Sequence, residues 1–387
     1  MPILPPEIML HIATYLAPLD QETLIRTFSH LACLFTFRQF KSTDENGDTL
    51  LHLQARTHRR GSIAVPDARK GPCFSALITS NQPSSLHPQN HDGVTPLMSA
   101  IRAHNLQFMR LLLAKDPEGV NITDKTGATA LWHAIFASHV DGVALLLQQP
   151  LTGVNHRTLV HAFMWEDPDI EVTPLIWAMG SGIGAYELVS PFLSHPAIDL
   201  ACVDGDGRNP LMLAVIGDAD DDGDRVHQIL ERRRQALSTM LPGSRDDPVA
   251  RSAVPGIFDI NAVDRRRGET ALQIAVSADA GEPVELILSQ DGVQADMSDL
   301  LHHATHHHVI QAILAHGGVD VDQLDRYGRS ALSDAAKRDD RKSALVLLRY
   351  GARPDLSDFD GYTPISRAAM MMHADMVELL EQAIGII

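Results

Sequence analysis

The chain has 387 residues, with 32 Lys and Arg against 49 Asp and Glu, a net charge of −17, and aromatic residues at only 5%. That length means two or three compact domains or one elongated array. The acidic field repels phosphate backbones and anionic bilayers, which argues against a nucleic-acid or lipid binder. Cys33, Cys73 and Cys202 match no metal or redox spacing, so a disulfide framework is excluded and a reducing compartment is expected. The most apolar stretch, from Ile3 to Leu19, is broken by Glu7, His11 and three prolines. It falls short of the roughly 20 apolar residues of a membrane span and has no signal-peptide flanks. These features predict a soluble intracellular protein, cytoplasmic or nuclear, with no membrane segment.

Residues 1–42 do not share the pattern of the rest of the chain. Leu4, Ile8, Ile12, Tyr15 and Leu16 mark one face of a helix that starts after Pro5-Pro6. Pro18 interrupts it, and Leu24, Ile25, Phe28 and Leu31 line a second helix that Asp20 can cap. Forty residues of short amphipathic helix cannot hold a core alone, so they need a partner. Leu4-Pro5, Glu7-Ile8, Ile12, Tyr15-Leu16 and the Leu-rich second helix resemble an F-box, without its late Trp. The resemblance implies that Leu4, Pro5, Ile8, Ile12 and Leu16 dock on a Skp-type adaptor of a cullin–RING ubiquitin ligase. The alternative is a helical cap that covers the open end of an array.

From residue 43 onward one pattern recurs: an acidic residue or Asn, a Gly, a Thr or its equivalent two positions on, then apolar residues and Ala. It begins at Asp44, Asn90, Asp124, Asp204, Asp264, Asp325 and Asp358, with glycines at 47, 93, 127, 207, 268, 328 and 361. The gaps of 34 and 33 residues give the period; the wide gaps hold degenerate units starting near Glu171 and Asp299 and an insertion from Ser238 to Gly256. The count is nine units, seven regular and two degenerate. In each, Asp-x-x-Gly makes a tight turn with Gly at positive φ. Thr then caps a first helix, and Pro96, Pro174, Pro210 and Pro364 sit at its first position, where no N–H is needed. A second helix carries apolar residues at helical spacing, such as Leu106, Met109, Leu112 and Leu113, or Val143, Leu146 and Leu147, or Leu345, Leu347 and Leu348, and closes on Gly or Asn. Neither helix can bury its apolar face alone, so the units must stack.

These units resemble the ankyrin-repeat family over about residues 43–387. The expected fold is therefore all-α, a curved solenoid of about nine helix-turn-helix units with short hairpin turns, preceded by the small F-box-like segment. The family's His after Thr-Pro-Leu is kept at His52 and His302 but replaced by Met98, Trp132, Ile176, Met212, Gln273, Ser333 and Ser366, which predicts a looser stack.

Several clusters invite chemistry. His302, His303, His306, His307 and His308 offer i, i+4 pairs, yet the apolar residues among them fit two helices of a unit, and no metal site is expected. Asp218, Asp220, Asp222 and Gly223 imitate a calcium loop, but its twelfth position is Ile229, so a solvated loop is expected. Arg265–Arg267 lengthens a turn by one residue. No phosphate loop, nucleophile elbow or His-Glu-x-x-His is present, so neither enzyme activity nor a cofactor is expected. Tyr327, Phe359 and Tyr362 are aromatic tips of consecutive turns, either anchors for a protein partner or packing against neighbouring turns. The sequence therefore predicts a protein-binding adaptor, either a ligase substrate receptor or a plain scaffold with a capped end.

Overall fold

The computed structural model describes residue 16 and residues 43–56, 86–159, 171–180, 185–217, 223–240 and 257–384. Leu4, Pro5, Ile8, Ile12, Cys33, Cys73 and the acidic stretch 218–222 lie outside the described residues, and Leu16 is half-buried. The chain divides into two compact units, Met1–Ile198 and Asp199–Ile387.

In the first unit the helices are α1 (Leu50–Arg56), α2 (Pro96–Arg102), α3 (Leu106–Lys115), α4 (Ala130–Phe136), α5 (Val140–Leu147), α6 (Pro174–Gly180) and α7 (Ala185–Leu193). In the second they are α8 (Pro210–Gly217), α9 (Asp224–Met240), α10 (Ala271–Ser277), α11 (Gly281–Leu288), α12 (Met297–His303), α13 (His307–His316), α14 (Ala331–Arg338), α15 (Arg341–Arg349), α16 (Pro364–Met370) and α17 (Ala374–Ile384). Within each unit first helices pack on first helices (α1 on α2, α2 on α4, α14 on α16), and second helices on second helices (α5 on α7, α11 on α13). The expected helical pairing is present. Extended structure among the described residues is a two-residue pair, β1 (Thr158–Leu159) against β2 (Glu171–Val172), and one bridge between Val263 and Thr270.

The turns follow from their side chains. Asp124 Oδ1 accepts from the amides of Thr126 and Ala128, and Asn90, Asp325 and Asp358 do the same in their own turns. Each closes with the Gly amide on the carbonyl of the Asp or Asn that opens the turn, at 3.0 Å for Gly93 and 2.9 Å for Gly328. Asp264 bonds across five positions to Glu269 where the others span four, as the extra residue in Arg265–Arg267 requires. Thr95, Thr173, Thr270 and Thr363 then cap their helices, and Pro96, Pro174, Pro210 and Pro364 each open one. Thr129 is the exception, with no side-chain cap bond.

Two expectations need correction. Second helices close on Gly in only some units: α13 ends on Gly317 and α15 on Gly351, just past Tyr350, whereas α3, α5 and α11 end on Asp116, Gln148 and Ser289. First helices also end in a sharp reversal, where His104, Ser138, Asp279, Asp339 and Met372 take positive φ. Leu345 also does not join the core as its spacing suggested; Val346 and Leu347 are buried while Leu345 is 44% exposed. Helical phase makes the face, but the neighbouring helix decides how much of it is covered.

Candidate functional site

Successive turns are bonded edge to edge. The amides of His91, Lys125 and Arg265 donate to the carbonyls of Asn46, Asp92 and Asp206 in the turn before, at 2.9, 2.9 and 2.7 Å. Phe359 reaches Tyr327 in the same way at 3.5 Å. Further bridges come from the loops: Asn121 bonds the carbonyl of Leu151 and the amide of Gly153, and Asn261 repeats this with Gly292 and Gln294. The histidine tether is made where His survives, from His52 to the Val94 carbonyl (2.8 Å) and from His302 to that of Gln323 (3.0 Å). Trp132, which replaces it in another unit, performs the same task with its indole N–H on the His156 carbonyl (2.9 Å). Gln273 and Ser366 turn back on the caps of their own helices instead.

In the turns that open at Asp124, Asp204, Asp325 and Asp358, the second carboxylate oxygen takes a partner from a basic side chain. Arg208 and Arg329 hold Asp204 and Asp325 from four positions on, at 2.8 and 2.7 Å. His133 and Arg367 hold Asp124 and Asp358 from nine positions on. Burial alone would raise the Asp325 carboxyl, but the Arg329 amide and guanidinium and the Tyr327 amide outweigh it and keep the acid below its ordinary range. The same contest, with Tyr362 and Arg367 as donors, lowers Asp358.

The aromatic tips sit on this frame. Tyr327 is 51%, Phe359 75% and Tyr362 39% exposed. The guanidinium carbons of Arg326 and Arg329 lie 4.9 and 4.6 Å from the centre of the Tyr327 ring, and that of Arg367 lies 5.6 Å from the Tyr362 ring. Phe359 lies over Gly328, where any Cβ would come within 2.5 Å of its ring. Each tip therefore packs on its own or the neighbouring turn and still offers a face to solvent. Beside them a cavity of about 430 Å³ is lined by His302, His303, Gln323, Leu324 and Arg326 among others. The clustered histidines are each otherwise engaged: His303 bonds the Asp299 carbonyl, His306 pairs with Asp279 at 2.9 Å, and His307 stacks on His308. No three ligand-type residues converge on a metal position among the described residues.

The first unit holds a site that no motif in the sequence marks. Arg102 Nε donates to His133 Nδ1 (3.2 Å), and His133 Nε2 donates to Asp124 Oδ2 (2.9 Å), beside a cavity of about 530 Å³. The nine-residue spacing from turn acid to ring was the available signal. Burial first, and then the Arg102 charge, lower the His133 pKa, so the ring is neutral and its two bonds run in one direction. Burial likewise lowers His52 and His139. Groups lowered on folding bind fewer protons folded than unfolded, so stability is complete above the ordinary histidine range, about 6.5, and falls as pH drops through it. All three tryptophans, Trp132, Trp165 and Trp177, belong to this unit, so tryptophan fluorescence follows it alone. Its melting temperature is expected to fall between about pH 7.5 and 5.5; a flat profile would show that these rings protonate in place without cost.

Among the described residues no helix is long and apolar enough to cross a membrane. A family model described as ankyrin repeats (3 copies) matches residues 62–158 and 301–386. The chain is 30% identical over 212 residues to neurogenic locus notch homolog protein 1 of Mus musculus, and 29% identical to that of Homo sapiens. Each match covers 46% of this chain and only 8% of the relative. The paired helices and bonded turns within residues 86–158 and 301–384 thus lie in the two segments that match ankyrin repeats.

Proposed function

We propose that the protein is a binding scaffold that holds a protein partner on the turns carrying Tyr327, Phe359 and Tyr362. One observation carries this reading: three large aromatic side chains stay exposed on two adjacent turns while arginines and Gly328 fix their rings. Rings already ordered lose little entropy on binding, and Tyr paired with Arg is the usual composition of interface anchors. The turns beneath are locked by carboxylate and backbone bonds, so the tips stand on a rigid support. The coupling to a ubiquitin ligase, through a Skp-type adaptor at residues 1–42, rests on the F-box resemblance. The plain scaffold is the reading that the repeats support.

The test is affinity purification with mass spectrometry, comparing the wild-type chain with a Tyr327→Ala/Phe359→Ala variant. Hot-spot loss of about 2 kcal/mol or more corresponds to roughly 30-fold weaker binding. Partners of this face should therefore drop out of the variant sample while its melting stays close to wild type. An unchanged partner set would move the binding surface elsewhere.

A further inference from the structure

The outer row of second helices is uneven in the second unit. α11, α13 and α15 pack closely side by side, whereas α17 touches α15 at far fewer points. Arg341 and Asp375 bridge the two helices at one place (2.8 Å), and a groove of about 670 Å³ lies between them. Its floor is apolar: Leu345, 44% exposed, and half-buried Leu348 from α15 face half-buried Leu379 from α17. Its walls carry opposite charge. Arg341 and Arg349 stand two turns apart on the α15 side, and Asp375 and Glu378 one turn apart on the α17 side.

We infer that this groove is a second interaction surface, which receives an amphipathic helix of a protein partner. The helix would lay an apolar stripe on Leu345, Leu348 and Leu379, with acidic residues along one flank and basic residues along the other. An apolar floor between two helices is the geometry of helix-in-groove recognition. Arg349 and Glu378, the wall charges outside the Arg341–Asp375 bridge, supply charge complementarity, which fixes how the incoming helix sits. This surface belongs to second helices, not to turns, so it is independent of the aromatic tips.

The full chain can be titrated with a blocked 16-residue helical peptide bearing a Leu stripe, Glu on one flank and Lys on the other. A control peptide has the same composition with Glu and Lys mixed on both flanks. Binding is followed by the methyl resonances of Leu345, Leu348 and Leu379. Saturable binding is expected, about two- to fivefold weaker for the control, which loses the matched contacts to Arg349 and Glu378. Leu345→Glu should abolish it, and because that side chain is already half open the variant should melt like wild type. Phe359→Ala should leave it unchanged, which separates this surface from the turn tips. Equal affinity for both peptides, or binding that survives Leu345→Glu, would overturn the inference. So would contacts in the free protein from Ile386 or Ile387 to Leu345, or a dimer dispersed by Leu345→Glu, because the groove would then already have an occupant.

Discussion

Leu146→Ala is expected to destabilise the first unit by roughly 2–5 kcal/mol, the range for deleting a fully enclosed Leu side chain. Leu146 is 0% exposed, in α5, which packs on α4 of its own repeat and on the neighbouring second helices α3 and α7. The three missing carbons leave a cavity in a helix on which both neighbouring repeats pack, so closing it would disturb their contacts. Damage should therefore spread along the stack, and the tryptophan-reported transition should move down by many degrees. Leu147→Ala, at 8% exposure, should behave similarly. Leu345→Ala in the second unit is the matched control, because its spacing is equally helical but nearly half its surface is already wet. A midpoint for Leu146→Ala within a degree or two of wild type would refute the placement of α5.

Gly93→Ala and Gly361→Ala form the second large test, because the two sites share a backbone conformation and differ in surroundings. Their φ values are 77° and 84°, a left-handed region that costs an L-residue about 1–2 kcal/mol. At Gly361 an added Cβ meets nothing within 4 Å, so the substitution should cost only that strain. At Gly93 the Cβ would lie 2.8 Å from the backbone nitrogen of Lys125, the atom that donates to the Asp92 carbonyl. The chain must move apart there, and the turn-to-turn bond goes with it. Another 1–2 kcal/mol or so is expected, the penalty for a hydrogen bond broken where no water replaces it well. Chemical denaturation of both variants reads the difference. Equal losses would mean that turns 90–94 and 124–128 do not depend on close approach.

The acidic turn residues show how one side chain serves two ends. One oxygen gathers the turn amides, which fixes the local chain, and the other takes a basic side chain from the same turn or from the helix after it. This arrangement makes the turns rigid platforms, and it explains why an acidic chain keeps Arg208, Arg329 and Arg367 beside them. The matching Asn and Asp residues three positions before the turns act at longer range, since Asn121, Asn261 and Asp322 each reach into the next unit's loop.

The repeating units were legible from local pattern. Turn, cap, Pro at the first helical position and apolar phase are fixed by backbone φ, a missing N–H and a 3.6-residue period, none of which depends on a distant partner. Tyr327, Phe359 and Tyr362 could be placed at turn tips on the same basis, because a residue beside a turn Gly cannot be far from the tip. What those residues meet is a matter of packing between units. Whether Phe359 packs or projects depends on Gly328, thirty-one positions earlier in the chain. That Trp132 stands in for the lost His, and that Arg102, His133 and Asp124 join in one relay, required the distances between units. The open groove at Leu345 was invisible for the same reason. Helical phase tells which side chains share a face, whereas coverage of that face depends on the angle of a neighbouring helix, which contacts between units set.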